Sequence, residues 1–508
     1  MSSFCNGPAV SRERRIAASL PASSVPLRER ARREARLAAI EAILCGAPDG
    51  LALCFERAQL LDGLGHSDAA RQAYIEVLQS DSAHAGALND LGRLLDRTGF
   101  HTAARTAYAR AVAAQPDDAT SHGNLASSLL DAGDTEAARR HYEIALRLDP
   151  DNVAAHACLA VLLLRLGDAP GAAAHGRAAF RAGATAWPYR GAGEPIPVLV
   201  LHSALGGNIS IDRYIDDRTF AKWTCVAEFW DPAAALPPHA FVFNAIGDAD
   251  RCAVALRAAE AILAKTAAPI VNSPGRIRST GRRVNARRLA RLPGVIAPRI
   301  ITCTRAHLRT PDAVAELASA GFEWPLIVRA PGFHTGRHCS LVKGPEELAE
   351  AVSSLPGTDV FVIQYIEVRA PDGTFRKYRV IVVDGALFPL HLAISTHWKV
   401  HYFTADMIDR PEHRAEEAAF LADMSGAIGA PATAALGTIA RRLGLDYGGI
   451  DFALYAAGRV VVFEANATMI APPPPSDERW AYRRGPVERI DAAVRTMLLA
   501  RAGVSATR

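Results

Sequence analysis

From Leu51 to Thr185 the apolar and polar positions recur with a period of 34 residues. Aligning Gly65, Gly99, Gly133 and Gly167 superposes Leu61, Leu95, Leu129 and Leu163, then Ala70, Ala104, Ala138 and Ala172, and brings Tyr74, Tyr108 and Tyr142 into one column. Each period reads as two amphipathic helices broken at the glycine. The small alanines let the two helices approach closely, and the tyrosine fills the gap between units. Pro116 and Pro150 end their periods, where a proline starts the next turn without losing a helical hydrogen bond. The fourth unit is degenerate, with Gly176 in the tyrosine column. Leu27 to Leu44 carries the second-helix pattern and is expected to cap the stack. Residues 27–186 are therefore expected to form an all-α helical-repeat solenoid, behind a flexible N-terminus at 1–26.

The pattern changes after a Gly/Pro-rich linker at 187–197, WPYRGAGEPIP. PVLVLHS, HAFVFNAIGD and APIVNSP read as buried strands, and Asp250 to Lys265 reads as a helix, which predicts a small α/β domain at 198–275. An Arg-rich helix ending near Leu292 then opens a larger α+β unit at 276–508.

The end of the chain, DYGGIDFALYAAGRVVVFEANATM, carries the most specific chemistry. Alternation along a strand places Glu464 and Asn466 on one face, and a turn at Ala456-Ala457-Gly458 folds that strand back beside Asp451. Two carboxylates and an amide oxygen are hard donors that suit Mg²⁺. A hairpin whose polar residues merely face water is the plain alternative. The flanking FALY and VVVF are apolar enough to be buried, and a buried charge requires a partner or a metal.

Composition narrows the classes. Half of the 508 residues are apolar and the formal charge is only +4, which gives no reason to invoke nucleic acid or an anionic membrane. Only five of the 57 basic residues are lysines, none in the first two hundred positions, so arginines are expected where lysine would otherwise serve. The eight cysteines (5, 45, 54, 158, 225, 252, 303 and 339) show no CxxC pair and no metal-ligand spacing, as in a reducing compartment. The Arg-, Ser- and Ala-rich start contains Glu13, Glu29 and Glu34 and no apolar h-region, so a cytoplasmic location is expected. The longest apolar run, CLAVLLL, is too short to cross a bilayer.

Further candidates precede the acidic tail. WPLIVRAPGFHTGRHCSLV reads as a strand delivering Arg329, a loop with Gly332 and Gly336, and a returning strand. Such a loop can turn backbone N–H groups toward phosphates. VFVIQYIEV is a buried strand, and PDGTFRKYRVIVVDG points Lys377 and Arg379 to one face of the next. FPLHLAISTHWKVHYF, from Phe388 to Phe403, and ATMIAPPPPS are expected to line a pocket that offers Lys399 with His391, His397 and His401.

The 34-residue units resemble tetratricopeptide repeats. From about Pro195 onward, the order of anchor helix, glycine loop, hinge strand, basic strand and acidic E-x-N ending is similar to the ATP-grasp enzymes, most of all the glutathione synthetase and ribosomal-protein glutamyl ligase branch. That resemblance implies a pre-ATP-grasp domain followed by two α+β lobes clamping ATP. It implies Asp451, Glu464 and Asn466 as Mg²⁺ ligands, and Gln364, Tyr365 and Ile366 as the hinge that holds adenine. Arg379 would touch the triphosphate beside Lys377, with Gly336 in the phosphate loop. Arg283 and Arg329 stand where the family usually has lysines, and an arginine fork can still grip phosphate. Lys399 is assigned to the γ-phosphate or acyl phosphate. The implied activity is ADP-forming ligation of a small-molecule or peptide carboxylate to an amine. Two alternatives are a repeat scaffold with a non-catalytic ATP module and an ATP-grasp kinase. The repeats are expected to recruit a protein or peptide partner, to act as a spacer, or to join two copies of the chain.

Overall fold

A computed structural model describes residues 27–46, 50–180, 183–332, 338–402 and 405–504; the expected N-terminal segment 1–26 lies outside the described residues. The chain divides into two compact units, Met1–Thr185 with Glu228–Ala235, and Ala186–Ala227 with Leu236–Arg508.

Among its described residues the first unit is built of α-helices, apart from Thr185 at the start of a two-residue strand and a short 3₁₀ turn at Ala227–Phe229. Helix Leu27–Gly46 precedes four helix pairs: Leu51–Leu64 with Ser67–Ser80, Ala85–Arg97 with His101–Ala114, Ala119–Asp131 with Thr135–Leu148, and Val153–Leu166 with Ala169–Phe180. The four register glycines sit where the first helix of each pair ends, all left-handed with φ of 85°, 91°, 89° and 81°. A Cβ is disfavoured there, which is why these columns hold glycine. Asp118, Asp134 and Asn152 cap the helices that follow them, each accepting from backbone N–H groups of the first turn. Tyr74, Tyr108 and Tyr142 are buried, as are the register alanines Ala70, Ala104 and Ala138.

The gap left by Gly176 is filled from elsewhere in the sequence. Phe229, in the segment Glu228–Ala235 that belongs to this same unit, stacks on Phe180 with ring centroids 5.3 Å apart. A Cβ at Gly176 would collide with the Phe229 ring, so the ring occupies the space that a side chain would take.

The second unit is mixed α/β and holds three sheets. In the first, β1 (Ile196–His202), β2 (Phe220–Val226), β3 (Phe241–Asn244) and β4 (Ile270–Val271) run parallel in the order β2-β1-β3-β4. Val198 to Leu201 are fully buried, as expected of a parallel strand covered on both faces. Helix Ala253–Leu263 follows β3. After the short β5 (Val295–Ile296), strands β6 (Ile300–Thr304), β7 (Leu326–Arg329), β8 (Cys339–Val342) and β9 (Asp359–Gln364) form an antiparallel sheet in the order β6-β9-β7-β8. Its core includes Leu317, Val328, Val342, Val360 and Val362.

The third sheet consists of β10 (Phe375–Val383), β11 (Ala386–Ser395), β12 (Tyr447–Tyr455) and β13 (Arg459–Asn466), with β5 added in parallel, in the order β11-β10-β12-β13-β5. The turn expected at Ala456-Ala457-Gly458 is present, with Ala457 at φ 58° and Gly458 at φ 69°. Register between β12 and β13 pairs Asp451 with Glu464 and Gly449 with Asn466, then shifts so that Phe452 faces Val462. Phe463 is the extra residue of a bulge beside the acidic pair, a device that re-aims neighbouring side chains.

Candidate functional site

The second and third sheets contribute to a cleft of about 570 Å³ within the second unit. That volume suits a ligand of nucleotide size. Ile300, Ile327, Ile363, Ile366, Val368 and Phe375 supply apolar lining, and Tyr365 meets Trp398 edge to face at 6.3 Å between centroids. Charged residues line it as well: Arg251, Arg282, Arg329, Lys377, Arg379 and Lys399, with the carboxylates Asp451 and Glu464. Arg376 also lines it, but its guanidinium is held by Asp372 and Glu416.

Alternation along β10 brings Lys377 and Arg379 to the same face, and cross-strand register sets Arg379 opposite Asp451. Arg379 donates to both Asp451 oxygens, Nε to Oδ1 at 2.5 Å and an Nη to Oδ2 at 2.8 Å, and Lys377 Nζ stands 3.3 Å from Oδ2. The Asp451 side chain is only 4% exposed. Burial alone would raise its carboxyl pKa, but the charges of Arg379 and Lys377 outweigh burial and hold it well below the usual carboxylate range. His391, on β11, is the cross-strand partner of Arg379 and is buried; desolvation, with Arg379 beside it, lowers its pKa and keeps its imidazole neutral.

Glu464 accepts from Arg282 at 3.0 Å and from Asn466 Nδ2 at 2.9 Å, while Asn466 Oδ1 accepts from the backbone N–H and hydroxyl of Thr468. The two acids and the amide share one face of the β12–β13 hairpin. Among the described residues no group of three His, Cys, Asp or Glu closes around one point. A pair of carboxylates plus an amide oxygen fits Mg²⁺, which keeps most of its positions for water and phosphate oxygens. Arg379 uses two of about four lone-pair directions on Asp451 and Lys377 approaches a third, which leaves one for a metal.

Gln364 ends β9 and lines the cleft, but its amide is turned to the backbone of Glu323, accepting from N–H at 3.0 Å and donating to the carbonyl at 2.9 Å. Tyr365 and Ile366 line the cleft; burial, with Glu367 alongside, pushes the Tyr365 hydroxyl up to about 12. Arg329 lines the cleft, its pKa lowered by burial and then by the neighbouring Arg282. Lys399 lines it too, donating to the Cys339 carbonyl at 3.4 Å. Gly336 and Phe403 lie outside the described residues.

Arg283 differs from expectation. It is exposed and is not among the residues lining the cleft, whereas Arg282 faces the cleft and reaches both Glu464 and the Phe463 carbonyl. The phase of the helix explains this, since Arg282, Asn285, Ala286 and Leu289 fall at i, i+3, i+4 and i+7 on the inward stripe of helix Arg282–Leu289. Arg251, Trp398 and His401 are further lining residues; His401 is kept neutral by burial and by Lys377 and Arg379.

The segment from Trp398 to Tyr402 is anchored from behind. Glu417, fully buried, accepts from the hydroxyls of Tyr402 at 3.3 Å and Tyr482 at 2.5 Å and from the Leu392 N–H at 3.3 Å, and lies 3.6 Å from Arg483. The Arg483 guanidinium sits over the Tyr402 ring, 4.4 Å from its centroid.

Comparison with known proteins bears on the first unit. Residues 55–119 and 124–186 match the tetratricopeptide repeat. The N-terminal region thus carries tetratricopeptide repeats, followed by a mixed α/β region. Among solved structures, the chain is similar to MamA from Desulfovibrio magneticus RS-1, with 21% identity over 29% of this chain and 84% of that one and a TM-score of 0.27. It is also similar to a thermophilic tetratricopeptide-repeat protein of Thermus thermophilus (20% identity, 30% and 83% covered, TM-score 0.26). YrrB, described as having an unusual peptide-binding site, shows 17% identity over 28% and 74% (TM-score 0.26). No curated protein matches the chain. Among the described residues no helix is long and apolar enough to cross a membrane.

Proposed function

We propose that the second unit is an ATP-grasp ligase that joins a carboxylate to an amine through an acyl phosphate, releasing ADP. The observation that carries this reading is that, among the described residues, one cleft is lined by apolar side chains, by six cationic residues not counting the ion-paired Arg376, and by the carboxylates Asp451 and Glu464. A purine suits the first and a triphosphate the second. Tyr365, Ile366 and Trp398 would hold the base. Arg282, Arg329, Lys377 and Arg379 would spread along the phosphates, where preorganised positive charge stabilises a moving phosphoryl group. Asp451, Glu464 and Asn466 would hold Mg²⁺, which would supply further neutralisation of phosphate charge.

In the first step a substrate carboxylate oxygen forms a bond to the γ-phosphorus and the P–O bond to ADP breaks. In the second the amine nitrogen forms the C–N bond, and phosphate leaves with the C–O electron pair and takes up the amine proton. Lys399, which lines the same cleft, would steady the transferred phosphoryl group. No protein nucleophile is required. Purified protein given Mg·ATP with panels of carboxylates and amines should release phosphate, and hydroxylamine should trap the acyl phosphate; absence of phosphate release across the panels removes the reading.

A second reading is a repeat scaffold carrying an ATP-binding module without chemistry. It is favoured by Arg379 holding both Asp451 oxygens and by Thr468 holding Asn466 Oδ1. Single-turnover measurement of ADP separates the two. In either case the tetratricopeptide repeats would bind a protein or peptide, as such stacks commonly do.

A further inference from the structure

Beside the large cleft lies a second, smaller cavity of about 60 Å³, sharing Arg282, Arg329 and Glu464 with it. Its walls differ in kind. Ala286, Leu289, Ile300 and Phe361 make one side apolar, while Asp248 and Asp250 of the loop after β3 supply acceptors on another. Asp248 is committed to that loop, its Oδ1 accepting from the N–H groups of Asp250 and Arg251 at 3.0 Å each. Asp250 Oδ2 accepts a backbone N–H, that of Arg282 at 2.9 Å, and its side chain is accessible.

Asn285 supplies the independent observation. It is 4% exposed and lines this cavity; its Nδ2 donates to the Ala465 carbonyl at 2.7 Å, and its Oδ1 is buried with no hydrogen-bond partner among the described residues. An orphaned buried acceptor forfeits its hydration without return, so it persists where a ligand or water satisfies it. The missing partner must be a donor, and the charge balance among the described residues favours a cation: three carboxylates, Asp248, Asp250 and Glu464, face two arginines, Arg282 and Arg329, and Arg282 already answers Glu464. The apolar wall excludes a fully hydrated metal ion. A cavity of this size holds about four or five heavy atoms. A primary ammonium on a short aliphatic stem satisfies all four conditions: it has three donors, one positive charge, an apolar tail and the right volume.

We propose that this cavity is the acceptor subsite, binding the primary ammonium of the amine substrate between Asp250 and Asn285 Oδ1, next to the cleft where the carboxylate would be activated. The ammonium gives one proton to water before its nitrogen attacks the acyl phosphate, and the departing phosphate takes the second. The assignment deepens the ligase reading and rests on it.

The test uses the full chain and ethylammonium as the probe, read by ligand-detected NMR, with ethanol as the uncharged control. The wild type should bind ethylammonium and not ethanol. Asp250→Asn, which keeps an acceptor for the Arg282 N–H, should weaken ethylammonium at least ten-fold, and Asn285→Leu should do the same. Asp250→Asn keeps the test decisive if Asn285→Leu disturbs the Ala465 contact and fails to fold. Equal affinity in wild type and Asp250→Asn, equal binding of ethanol, or no binding by the wild type overturns the subsite. In turnover, the same Asp250→Asn change should raise the KM for primary amines ten-fold or more and act far less on the KM for ATP; an unchanged amine KM also overturns it. Ammonium binding by a wild type that never consumes ATP with any carboxylate overturns the ligase reading instead.

Discussion

Replacing Asp451 by Asn isolates the strongest electrostatic feature of the cleft. The carboxylate is buried and serves two cations, Arg379 through two hydrogen bonds and Lys377 at 3.3 Å. At an effective dielectric of ~20, charges about 4 Å apart attract by about 4 kcal/mol. Desolvation offsets part of that in the wild type. Removing only the acid keeps the desolvation cost and leaves two like charges facing each other, so the expected loss is about 3–5 kcal/mol. Urea denaturation followed by near-ultraviolet circular dichroism reads it. Adding Arg379→Met to Asp451→Asn removes one stranded cation and should recover about half of the loss, a non-additivity that a cycle exposes. Inorganic triphosphate should stabilise Asp451→Asn more than the wild type, since it replaces the lost anion. A loss below about 1 kcal/mol, or strict additivity of the two changes, would refute the reasoning. The pH dependence follows the same logic. A depressed folded pKa gives stability that is complete above the unfolded carboxylate value and is lost only as pH falls through the folded one, so this pair should contribute no slope between about pH 5 and 8.

Arg282→Ala should weaken Mg·ATP at least ten-fold by calorimetry, whereas Arg283→Ala should change it less than two-fold, because only the first faces the cleft. Phe229→Ala should destabilise the repeat unit by about 3–5 kcal/mol, seen as a lower helical melting transition, since it empties the space beside Gly176 and Phe180. Glu417 titrates the opposite way from Asp451. Burial raises its pKa, with Arg483 opposing, so its contribution is complete below the unfolded value and is lost as pH rises through the folded one. Stability measured from about pH 4 upward should show that loss in the wild type and lack it in Glu417→Gln.

The repeats were legible because a single period governs glycine, leucine, alanine and tyrosine columns at once, and each column answers a local steric demand. The β12–β13 hairpin was legible for a similar reason: apolar alternation and a glycine turn are short-range signals, and they place Asp451 opposite Glu464. What the sequence concealed was long-range. Nothing near Gly176 announces that Phe229 fills its column, and nothing near Asn285 indicates that its oxygen lacks a partner. Arg282 was missed for a correctable reason, as the inward phase of its helix is readable from Ala286 and Leu289. That Arg379 would grip Asp451 so fully required the register of β10 on β12, which side-chain alternation alone does not supply.

The completion of the last repeat by Phe229 also has a temporal side. A ribosome that has made the chain through Phe180 has delivered every helix of the stack, yet the ring that closes it is still 49 positions away. At typical synthesis speeds of about 5–20 residues per second, helix Ala169–Phe180 therefore waits a few seconds with an open flank. A gene fragment trimmed at the end of the recognisable repeat pattern would make that delay permanent, and expression trials of the isolated stack should carry Glu228–Ala235 if they are to yield a well-behaved product.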